Sequence, residues 1–428
     1  MVFKQWHAGI IVVGGGPAGM MAAFRAAQCN AGVTLVEKTY RLGSKLLLSG
    51  GGRCNITNTA AMKEFVAAFG ENGKFLYRAL SVFSPQDLVD FFTSRGLPMR
   101  NDSDGKVFPE NDSAESVLGV LRTAVEGATV RILHNSAVTG IVCRQGTDVP
   151  VSGVSLADGS VIAAEKVIIA TGGMSYPKTG STGDGYALAQ QCGHTVVPLS
   201  AGLTALESDE KFIKELQGLS LKDIVISVMV NGKIKAAEHG DILFTHFGVS
   251  GPRVLVLSGI VVDALTGGNI VELSLNLRPE YSGETFDRYL QYAFESCGPK
   301  TIAQYLRDAL PASFAPVFQQ RYAGAPAKKC SETGSAERKK ISAGFTDFRI
   351  HITQPRPIEE ATITRGGIAL KEINPQTMES RLVKGLFFCG EIMDLAGITG
   401  GYNLQEAFST GFLAGESAAA PIVVPADI

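Results

Sequence analysis

The sequence predicts an α/β protein with a discontinuous Rossmann-like two-dinucleotide fold, interrupted by a β-barrel and a small helical insert. An apolar run, residues 9–13, leads into a glycine-rich turn, an alanine-rich segment and a second apolar run. Short apolar strands of the same kind return after residue 361, whereas residues 200–277 carry short alternating strands. We predict three domains. The first domain covers residues 1–197 and 356–428. The barrel covers residues 198–280 and 342–355, and the helical insert covers residues 281–341.

The turn after the first apolar run, residues 14–19, has the G-x-G-x-x-G spacing of a dinucleotide-binding loop. Gly14 permits the tight turn, Gly16 lets the backbone approach a pyrophosphate, and Gly19 lets helix and strand pack closely. Free N–H groups at the start of the helix favour phosphate binding. Glu37 follows the next strand, where an acidic residue takes the ribose hydroxyls of an adenine dinucleotide. Because strand, helix and acid agree, we predict dinucleotide binding rather than a plain structural turn.

A second glycine-rich stretch, residues 48–55, has no apolar periodicity. Its three successive glycines suggest a backbone pressed against a flat or anionic ligand. Lys45 and Arg53 would supply positive charge to the phosphates or fix the loop. The alternative is an exposed flexible loop, but flexible loops seldom carry this many specific polar residues.

The middle of the first domain is expected to add strands beside this site. The pair Asp158-Gly159 indicates a hairpin. Residues 167–170 read as a buried strand that runs into Thr171 and two glycines. Asp184 is expected to cap a helix over residues 185–192.

The regions between the motifs give coarser predictions. Residues 62–95 and 284–324 are expected to be helical, and residues 101–111 to form a turn-rich surface excursion. Residues 200–277 are expected to form an antiparallel sheet or barrel, with a turn at Asn231-Gly232.

The last part of the chain resembles the first domain again. An apolar strand, residues 386–389, ends in Gly390-Glu391, and a helix is expected from Gly400 through Gly411. The N-terminus of such a helix would stabilise negative charge on the pyrimidine end of a flavin.

The composition limits the function classes. The net charge is -2, so no overall field attracts nucleic acid or an anionic membrane. Seven cysteines without a CxxC pair argue against a disulfide framework, a zinc site or a dithiol pair, and no metal is expected. No run reaches the length of a membrane span or of a signal peptide. We expect a cytoplasmic protein without membrane association, as a monomer or homodimer.

Five motifs together resemble the BaiN-like or YhiN-like flavoprotein family, also labelled aminoacetone-oxidase-like. They are residues 14–19, 48–55, 170–173, 243–252 and 390–403, and the resemblance covers essentially the whole chain. It implies a fold of the glutathione-reductase/fumarate-reductase type and tightly held FAD. No second G-x-G-x-x-G follows a strand, so NAD(P)H is expected only as a transient donor.

The resemblance leaves the substrate open. The leading hypothesis is an FAD-dependent oxidoreductase that passes hydride through flavin N5 to or from a small organic substrate, bound between the FAD domain and the barrel. One alternative is reduction of uridine to dihydrouridine in ribosomal RNA, for which a basic cluster at residues 328–340 offers a modest surface. The others are an amine oxidase that produces peroxide and a flavin-binding sensor without turnover.

The predicted cofactor contacts combine these motifs with what the resemblance implies. They are Gly14, Gly16, Pro17, Ala18, Gly19, Glu37, Lys38, Lys45, Ser49, Gly50, Gly52, Arg53, Cys54, Asn55, Val138, Ala170, Thr171, Gly172, Gly390, Glu391, Asp394, Gly401, Tyr402 and Asn403.

Two residues are candidates for catalysis. His246 lies on a predicted barrel loop and could donate a proton or anchor substrate, or be a structural histidine. Tyr402 could donate a proton or pack at the helix start. Cys54 has no cysteine at redox spacing, so a packed residue is favoured over a disulfide relay.

Overall fold

A computed structural model describes residues 6–102, 104–143 and 150–420, with the side chains of residues 6 and 7 excepted. Among these residues, the chain forms the following strands: β1 Trp6–Val13, β2 Val33–Val36, β3 Thr57–Asn58, β4 Met99–Asn101, β5 Lys106–Pro109, β6 Arg131–Leu133, β7 Val138–Cys143, β8 Val151–Leu156, β9 Val161–Ile169, β10 Val196–Gly202, β11 Leu206–Glu207, β12 Ser220–Val230, β13 Lys233–Phe244, β14 Gly248–Ser250, β15 Val271–Asn276, β16 Phe348–Ile352, β17 Gln354–Pro355, β18 Ile363–Ile368 and β19 Leu386–Phe388.

The same ranges contain the following α-helices: α1 Pro17–Gln28, α2 Met62–Ala67, α3 Tyr77–Val82, α4 Pro85–Thr93, α5 Ala114–Gly127, α6 Asp184–Gln191, α7 Phe212–Glu215, α8 Pro252–Thr266, α9 Gly283–Ser296, α10 Ile302–Ala309, α11 Phe314–Phe318, α12 Ser335–Thr346 and α13 Tyr402–Ala419. None of the described helices has the length and apolar character that would carry it across a bilayer.

The chain divides into two compact units. The first contains residues 1–200 and 362–428, and the second contains residues 201–361. The α/β fold class is confirmed, whereas the further division of the second unit into barrel and insert stays a prediction.

The first unit is built on a mixed sheet with the strand order β6-β2-β1-β9-β8-β7, and β19 also pairs with β9. Strands β6, β2, β1, β9 and β19 run parallel, while β7, β8 and the start of β9 form an antiparallel meander. The strand ends are in register, because Val13 pairs with both Val36 and Ile169, and Ile169 pairs with Phe388. Whatever follows these four strands therefore meets at one edge of the sheet.

The helices α1 and α13 cross beside this sheet at very short range. A Cβ built on Gly411 would lie 2.3 Å from the carbonyl oxygen of Ala18, and one on Gly415 would lie 2.3 Å from that of Ala22. The two glycines are four residues apart, on one face of α13, and so are the two alanines on α1. Small residues on both helices are what allow this approach.

The second unit is built on an antiparallel sheet with the order β16-β15-β12-β13-β14-β11-β17. Its two end strands, β16 and β17, are consecutive in the chain and are joined by Thr353 alone. One continuous segment, β16 to β17, therefore joins the two ends of the strand order, as in the barrel that the alternating pattern predicts. The predicted turn at Asn231-Gly232 joins β12 to β13, with φ of 49° and 76°.

The helices of the second unit pack onto this sheet through aromatic rings. Phe314 of α11 lies 5.0 Å, ring to ring, from Phe348 of β16, and Phe318 lies 4.7 Å from Phe345 of α12. All four rings are fully buried in one apolar core.

Some local predictions were confirmed and others were wrong. Residues 62–95 are helical, as expected, and are divided into three α-helices, because Gly70 has a φ of 60° and Pro85 starts α4. Within residues 101–111, β5 is a strand of a three-stranded sheet with Val107 and Phe108 buried, not a surface excursion.

The helical boundaries differ too. Helix α8 lies inside the region expected to be all strand, because its valine-rich sequence has strand propensity that tertiary packing overrides. Residues 284–324 hold three α-helices and a final π-helical turn. Helix α13 continues eight residues beyond Gly411, to Ala419. Gly183, with a φ of 80°, occupies the cap position before α6, so Asp184 is the first helical residue rather than the cap.

Candidate cofactor site

The glycine-rich turn joins β1 to α1 at the carboxyl edge of the parallel strands. Gly14 has a φ of 102°, and a Cβ there would lie 2.6 Å from the carbonyl oxygen of Ala170. A Cβ on Gly19 would lie 1.9 Å from the carbonyl oxygen of Gly14, so helix and strand are in backbone contact. By contrast, a Cβ on Gly16 would meet nothing within 4 Å. The turn is therefore tight on its protein side and open on the side expected to face a ligand.

Glu37 comes directly after β2, at the same edge. Its Oε2 accepts a hydrogen bond from the N–H of Gly15, at 2.8 Å, and its Oε1 accepts one from the N–H of Thr39, also at 2.8 Å. These bonds fix the carboxylate against the turn. Each oxygen can accept a further bond, which is what a ribose hydroxyl would require.

A cavity opens between the ends of β1, β2 and β9, the start of β7 and helix α6. The residues that line it are Val13, Gly14, Val36, Glu37, Lys38, Ser136, Val138, Thr171, Gly180, Gly183, Asp184 and Leu188. Five of the predicted cofactor contacts, from four separate stretches of sequence, thus share one cavity.

Lys38 and Asp184 form an ion pair inside the cavity. The ammonium of Lys38 donates to Asp184 Oδ2 at 2.5 Å and to the hydroxyl of Thr182. The hydroxyl of Thr182 donates in turn to Asp184 Oδ1 at 2.7 Å. Burial raises the pKa of the Asp184 carboxyl, but the hydrogen bonds from Lys38 and Thr182 outweigh it and leave the pKa lowered.

The cavity suits the adenosine half of a dinucleotide. It combines apolar walls from Val138 and Leu188 with the Glu37 carboxylate and the open backbone of the turn. The hydroxyl of Thr171 is buried and has no hydrogen-bond partner among the described residues. A buried hydroxyl without a partner is costly unless a ligand satisfies it.

The loop over residues 46–55 is a distorted 3-10 turn held by its own polar groups. Ser49 donates to the carbonyl of Leu46 at 2.6 Å, and the N–H of Cys54 donates to the carbonyl of Ser49 at 3.0 Å. Cβ atoms on Gly51 or Gly52 would enter open space, as at Gly16. This loop is ordered by specific bonds, as expected of a ligand-binding loop rather than a flexible one.

Arg53 and Cys54 have structural surroundings in this loop. The guanidinium of Arg53 lies 4.7 Å from the centre of the Phe108 ring. The thiol of Cys54 is fully buried, and burial raises its pKa to about 12 despite a hydrogen bond with Ser49. A thiol with that pKa is protonated at neutral pH and is a poor nucleophile.

Lys45 lies in a compact polar cluster. Its ammonium donates to both oxygens of Glu391, at 2.9 and 2.6 Å, and to the hydroxyl of Ser175 at 2.7 Å. Glu391 Oε1 also accepts the N–H of Thr364 at 2.8 Å. The cluster joins four segments of the first unit, and the role of Lys45 as a phosphate contact stays a prediction.

The segment after β19 leads from Gly390 into α13. The N–H of Gly390 donates to the hydroxyl of Thr410 at 3.0 Å. Burial raises the pKa of the Asp394 carboxyl, and the hydrogen bond from Asn72 and the charge of Arg365 only partly offset this rise in pKa. Asn403 bonds the backbone of Gly397 in both directions, at 2.8 and 3.0 Å, and so fixes the loop before the helix.

The first turn of α13 presents backbone N–H groups. A Cβ on Gly401 would lie 2.2 Å from the carbonyl oxygen of Thr57, so the helix start is pressed against β3. Tyr402 packs edge-on against Phe65, with ring centres 4.7 Å apart. Burial and the carboxylates of Glu64 and Asp104 raise the pKa of Tyr402, so its phenol carries a proton at neutral pH.

One carboxyl near this site has no counterpart in the sequence predictions. Glu406 is 2% exposed inside α13, and burial, with Glu391 as a second cause, raises its pKa to about 8. Its Oε1 accepts from the hydroxyl of Thr410 at 3.3 Å. In the sequence, a buried glutamate within a helix looks the same as a solvent-exposed one, so no sequence signal identifies Glu406 as buried.

His246 belongs to the second unit, in the turn between β13 and β14. It is exposed, and its ring stands edge-on to Phe247 with centres 4.9 Å apart. The guanidinium of Arg356 lies 4.6 Å from the centre of the Phe247 ring, and Arg356 pairs with Glu207 at 2.5 Å. These contacts support the turn, and a catalytic role for His246 stays a prediction.

Sequence reasoning missed some of the residues that complete the cavity and the polar cluster. They are Ser136, Gly180, Gly183, Asp184, Ser175 and Thr364. The dense polar stretch from 175 to 186 is the signal that could have found four of them. No group of three or more metal-ligating side chains occurs within the described ranges.

Comparison with known proteins gives one family. The family described as "HI0933-like protein Rossmann domain" matches residues 8–417. The 3-dehydro-bile acid delta(4,6)-reductase of Clostridium scindens is 29% identical over 411 residues, 95% of this chain and 98% of that protein. The ribosomal RNA dihydrouridine synthase of Escherichia coli is 31% identical over 404 residues, 94% of this chain and 96% of that protein.

Solved structures with the same fold are more distant in sequence. A 3-ketosteroid-delta4-(5alpha)-dehydrogenase from Rhodococcus jostii has a TM-score of 0.54 at 15% identity, covering 98% of this chain and 99% of that one. A flavocytochrome c3 fumarate reductase has a TM-score of 0.51 at 17% identity, covering 98% of this chain and 79% of that one.

Proposed function

The chain belongs to the HI0933-like Rossmann family and is an FAD-dependent oxidoreductase, and on that basis we propose that it reduces a carbon–carbon double bond conjugated to a carbonyl group. FAD, when bound, supplies hydride transfer at its N5 atom. The electron donor that we propose is NAD(P)H, visiting the flavin transiently.

The convergence of four motifs at one sheet edge carries the proposal. The Gly14 turn, Glu37, Thr171 and Gly390 each follow a parallel strand whose end is in register with its neighbours. FAD bound at this edge would contact all four motifs at once. The residues that would hold it are those of the cavity, the loop over residues 46–55 and the start of α13.

The reaction class is supported by what two relatives have in common. A delta(4,6)-reductase of a 3-dehydro bile acid saturates double bonds conjugated to a ketone, and dihydrouridine is uridine saturated beside a carbonyl. Both reactions place a hydride on the carbon distant from the carbonyl and a proton on the nearer one. The protein must therefore supply a proton and stabilise negative charge in the same site.

The first unit offers groups suited to both tasks. The N-terminus of α13 favours negative charge, because its first N–H groups point out of the helix. Tyr402, the first residue of that helix, carries a proton at neutral pH. His246 remains the second candidate for the proton donor.

Ion pairs neutralise part of the basic cluster at residues 328–340, which lowers the positive charge that the second unit offers to ribosomal RNA. In the basic cluster at residues 328–340, Lys328 pairs with Glu337 at 2.5 Å and Arg338 pairs with Asp287 at 2.8 Å. Paired cations bind phosphates weakly, since RNA affinity depends on unneutralised charge.

A substrate panel tests the proposal. The holoenzyme is incubated anaerobically with NADPH or NADH and, in turn, with a 4-en-3-one steroid acid and ribosomal RNA. In a separate incubation in air, without nucleotide, it is given a primary amine. We expect a product two hydrogens heavier from the enone. Dihydrouridine in the RNA would instead identify ribosomal RNA as the substrate. Peroxide formed from the amine in air would contradict the proposal.

A further inference from the structure

Four of the seven cysteines lie in two thiol pairs. Cys143 is hydrogen-bonded to Cys192 in the first unit, and Cys297 to Cys330 in the second. No two cysteines stand at a motif spacing in the sequence, so the thiols were expected to be scattered. The fold brings these pairs together across long stretches of chain.

The first pair joins two elements that are already in contact. Cys143 is the last residue of β7, and Cys192 directly follows α6. The side-chain amide of Gln191 donates to the carbonyl of Thr139 at 3.5 Å, and a Cβ on Gly140 would lie 3.7 Å from Gln191 Oε1. Both cysteines are partly buried and pack against the core of the unit.

The same two elements form walls of the cofactor cavity. Val138 at the start of β7 lines it, and so do Asp184 and Leu188 of α6. The cysteines occupy the other ends of these elements. A covalent link between them would hold one wall against the other without entering the cavity.

We propose that Cys143 and Cys192 form a reversible disulfide, with hydrogen peroxide as the oxidant, that locks α6 against β7 and slows release of FAD. The site is a modification site on the cofactor domain and is separate from the reacting groups.

The oxidation is a balanced two-electron step. The Cys143 thiol loses its proton, and the thiolate attacks one peroxide oxygen. The O–O bond breaks, the departing hydroxide takes up a proton and leaves as water, and Cys143 becomes a sulfenic acid. The Cys192 sulfur then attacks the Cys143 sulfur while its proton passes to the departing hydroxyl group, so that the S–O bond breaks and a second water leaves. Two thiols are oxidised to a disulfide, and one peroxide is reduced to two waters.

The local environment assigns the order of attack. Burial raises the pKa of both thiols, to about 12 for Cys192. The S–H of Cys192 donates to Cys143 and partly offsets the effect there. Cys143 is therefore the thiol that ionises first, and Cys192 is the resolving one.

Peptide mapping tests the bond. The holoenzyme carrying Cys297→Ser, which removes the second thiol pair, is treated with hydrogen peroxide, alkylated and digested with trypsin without reductant. Residues 132–144 and 179–211 are tryptic peptides with one cysteine each. We expect them to appear joined, two hydrogens lighter than their sum, and to separate after reduction with a phosphine. Sulfinic acid on Cys143 with an alkylated Cys192 would overturn the proposal.

Cofactor release tests the consequence. FAD fluorescence is followed after dilution into mild denaturant, for the reduced and the oxidised protein. We expect release to slow severalfold on oxidation, and the effect to vanish in Cys143→Ser and in Cys192→Ser. Cys29→Ser, a partly buried cysteine outside both pairs, serves as the matched control and should keep the effect. A linked protein that releases FAD at the unlinked rate would contradict the proposed lock.

Discussion

At the scale of single residues, a substitution at Gly16 tests most directly whether the glycine-rich turn binds a dinucleotide. Its neighbours Gly14 and Gly19 are confined by backbone atoms of the protein itself, whereas a side chain on Gly16 would enter open space. The sequence motif predicts this division of roles correctly, because each glycine position follows from the geometry of a strand, a turn and a helix.

We expect Gly16→Val to abolish FAD retention while the protein still folds, because valine fills the space that the pyrophosphate needs. The measurement is the ratio of flavin to protein absorbance after purification, together with the circular dichroism spectrum. Gly119→Val, on the exposed face of α5 where a Cβ also meets nothing, is the matched control. Full FAD content in Gly16→Val would remove the turn from the cofactor site.

Glu406 gives the protein a pH-dependent stability. Its pKa is about 8 when folded, against an ordinary value of 4.5, so the unfolded chain gives up the proton first. The contribution of Glu406 to the free energy of unfolding is therefore fully present below about pH 4.5 and is lost as the pH rises towards 8. The total loss is roughly 5 kcal/mol. We expect Glu406→Gln to be more stable than the parent at about pH 8.5 and no more stable at about pH 5.

Urea unfolding midpoints of the holoprotein at those two pH values provide the measurement. The predicted signature is a change in the sign of the difference, since glutamine cannot ionise but still accepts from Thr410. Equal midpoints at both pH values would mean that Glu406 is ionised when folded.

His246 and Tyr402 make opposite predictions about the proton donor. If His246 donates the proton, His246→Ala keeps its FAD and loses turnover by roughly tenfold to a thousandfold, with flavin reduction less affected. Tyr402→Phe would then stay close to the parent. Turnover of His246→Ala within about twofold of the parent would make His246 structural and move the search to Tyr402.

At the scale of elements, the crossing of α1 and α13 positions both ends of the proposed FAD site. One helix carries the dinucleotide turn at its start, and the other begins at Tyr402. Their contact depends on Gly411 and Gly415, because each would otherwise place a Cβ 2.3 Å from a carbonyl oxygen of α1.

We expect Gly411→Val to destabilise the protein by about 3 kcal/mol or more, because the helices must separate or shift to admit the side chain. FAD content should fall with the loss of packing. Thermal unfolding of the purified protein measures the effect, and the exposed Gly119→Val again provides the comparison. An unchanged melting temperature would show that the crossing can relax.

Elements defined by regular patterns were predictable, and those defined by tertiary contact were not. Strands β1, β2 and β9 each end in a short, mostly apolar run that leads into a motif, so both their existence and their shared edge follow from the sequence. Helix α8 could not be recognised, because its run of valines is typical of a strand. Its start signal, Pro252 after Gly251, is visible only once a helix is suspected.

The candidate site shows the same limit. Glu37, Lys38 and Val138 were assigned to it from sequence, and the fold places all three on one cavity. Asp184 was assigned instead to a helix cap, since nothing local shows that Lys38 will lie opposite it. Long-range charge pairing of this kind depends on the folded chain.

At the scale of the whole molecule, the FAD domain and the reaction that we propose for it rest on different observations. The family and the α/β fold establish an FAD-dependent oxidoreductase. The reaction that we propose, reduction of a conjugated double bond, requires that the reduced flavin pass its electrons to a carbon atom of the substrate.

The direct test is the oxidative half-reaction in the absence of oxygen. The holoenzyme is reduced with NADPH, freed of excess nucleotide and mixed with a conjugated enone, while the absorbance of oxidised flavin is followed. The control acceptor is the matching saturated ketone. We expect only the enone to restore the oxidised spectrum, with one saturated product formed per flavin. Flavin that stays reduced with every conjugated acceptor, including uridine in RNA, and reoxidises only when air is admitted would contradict the proposal.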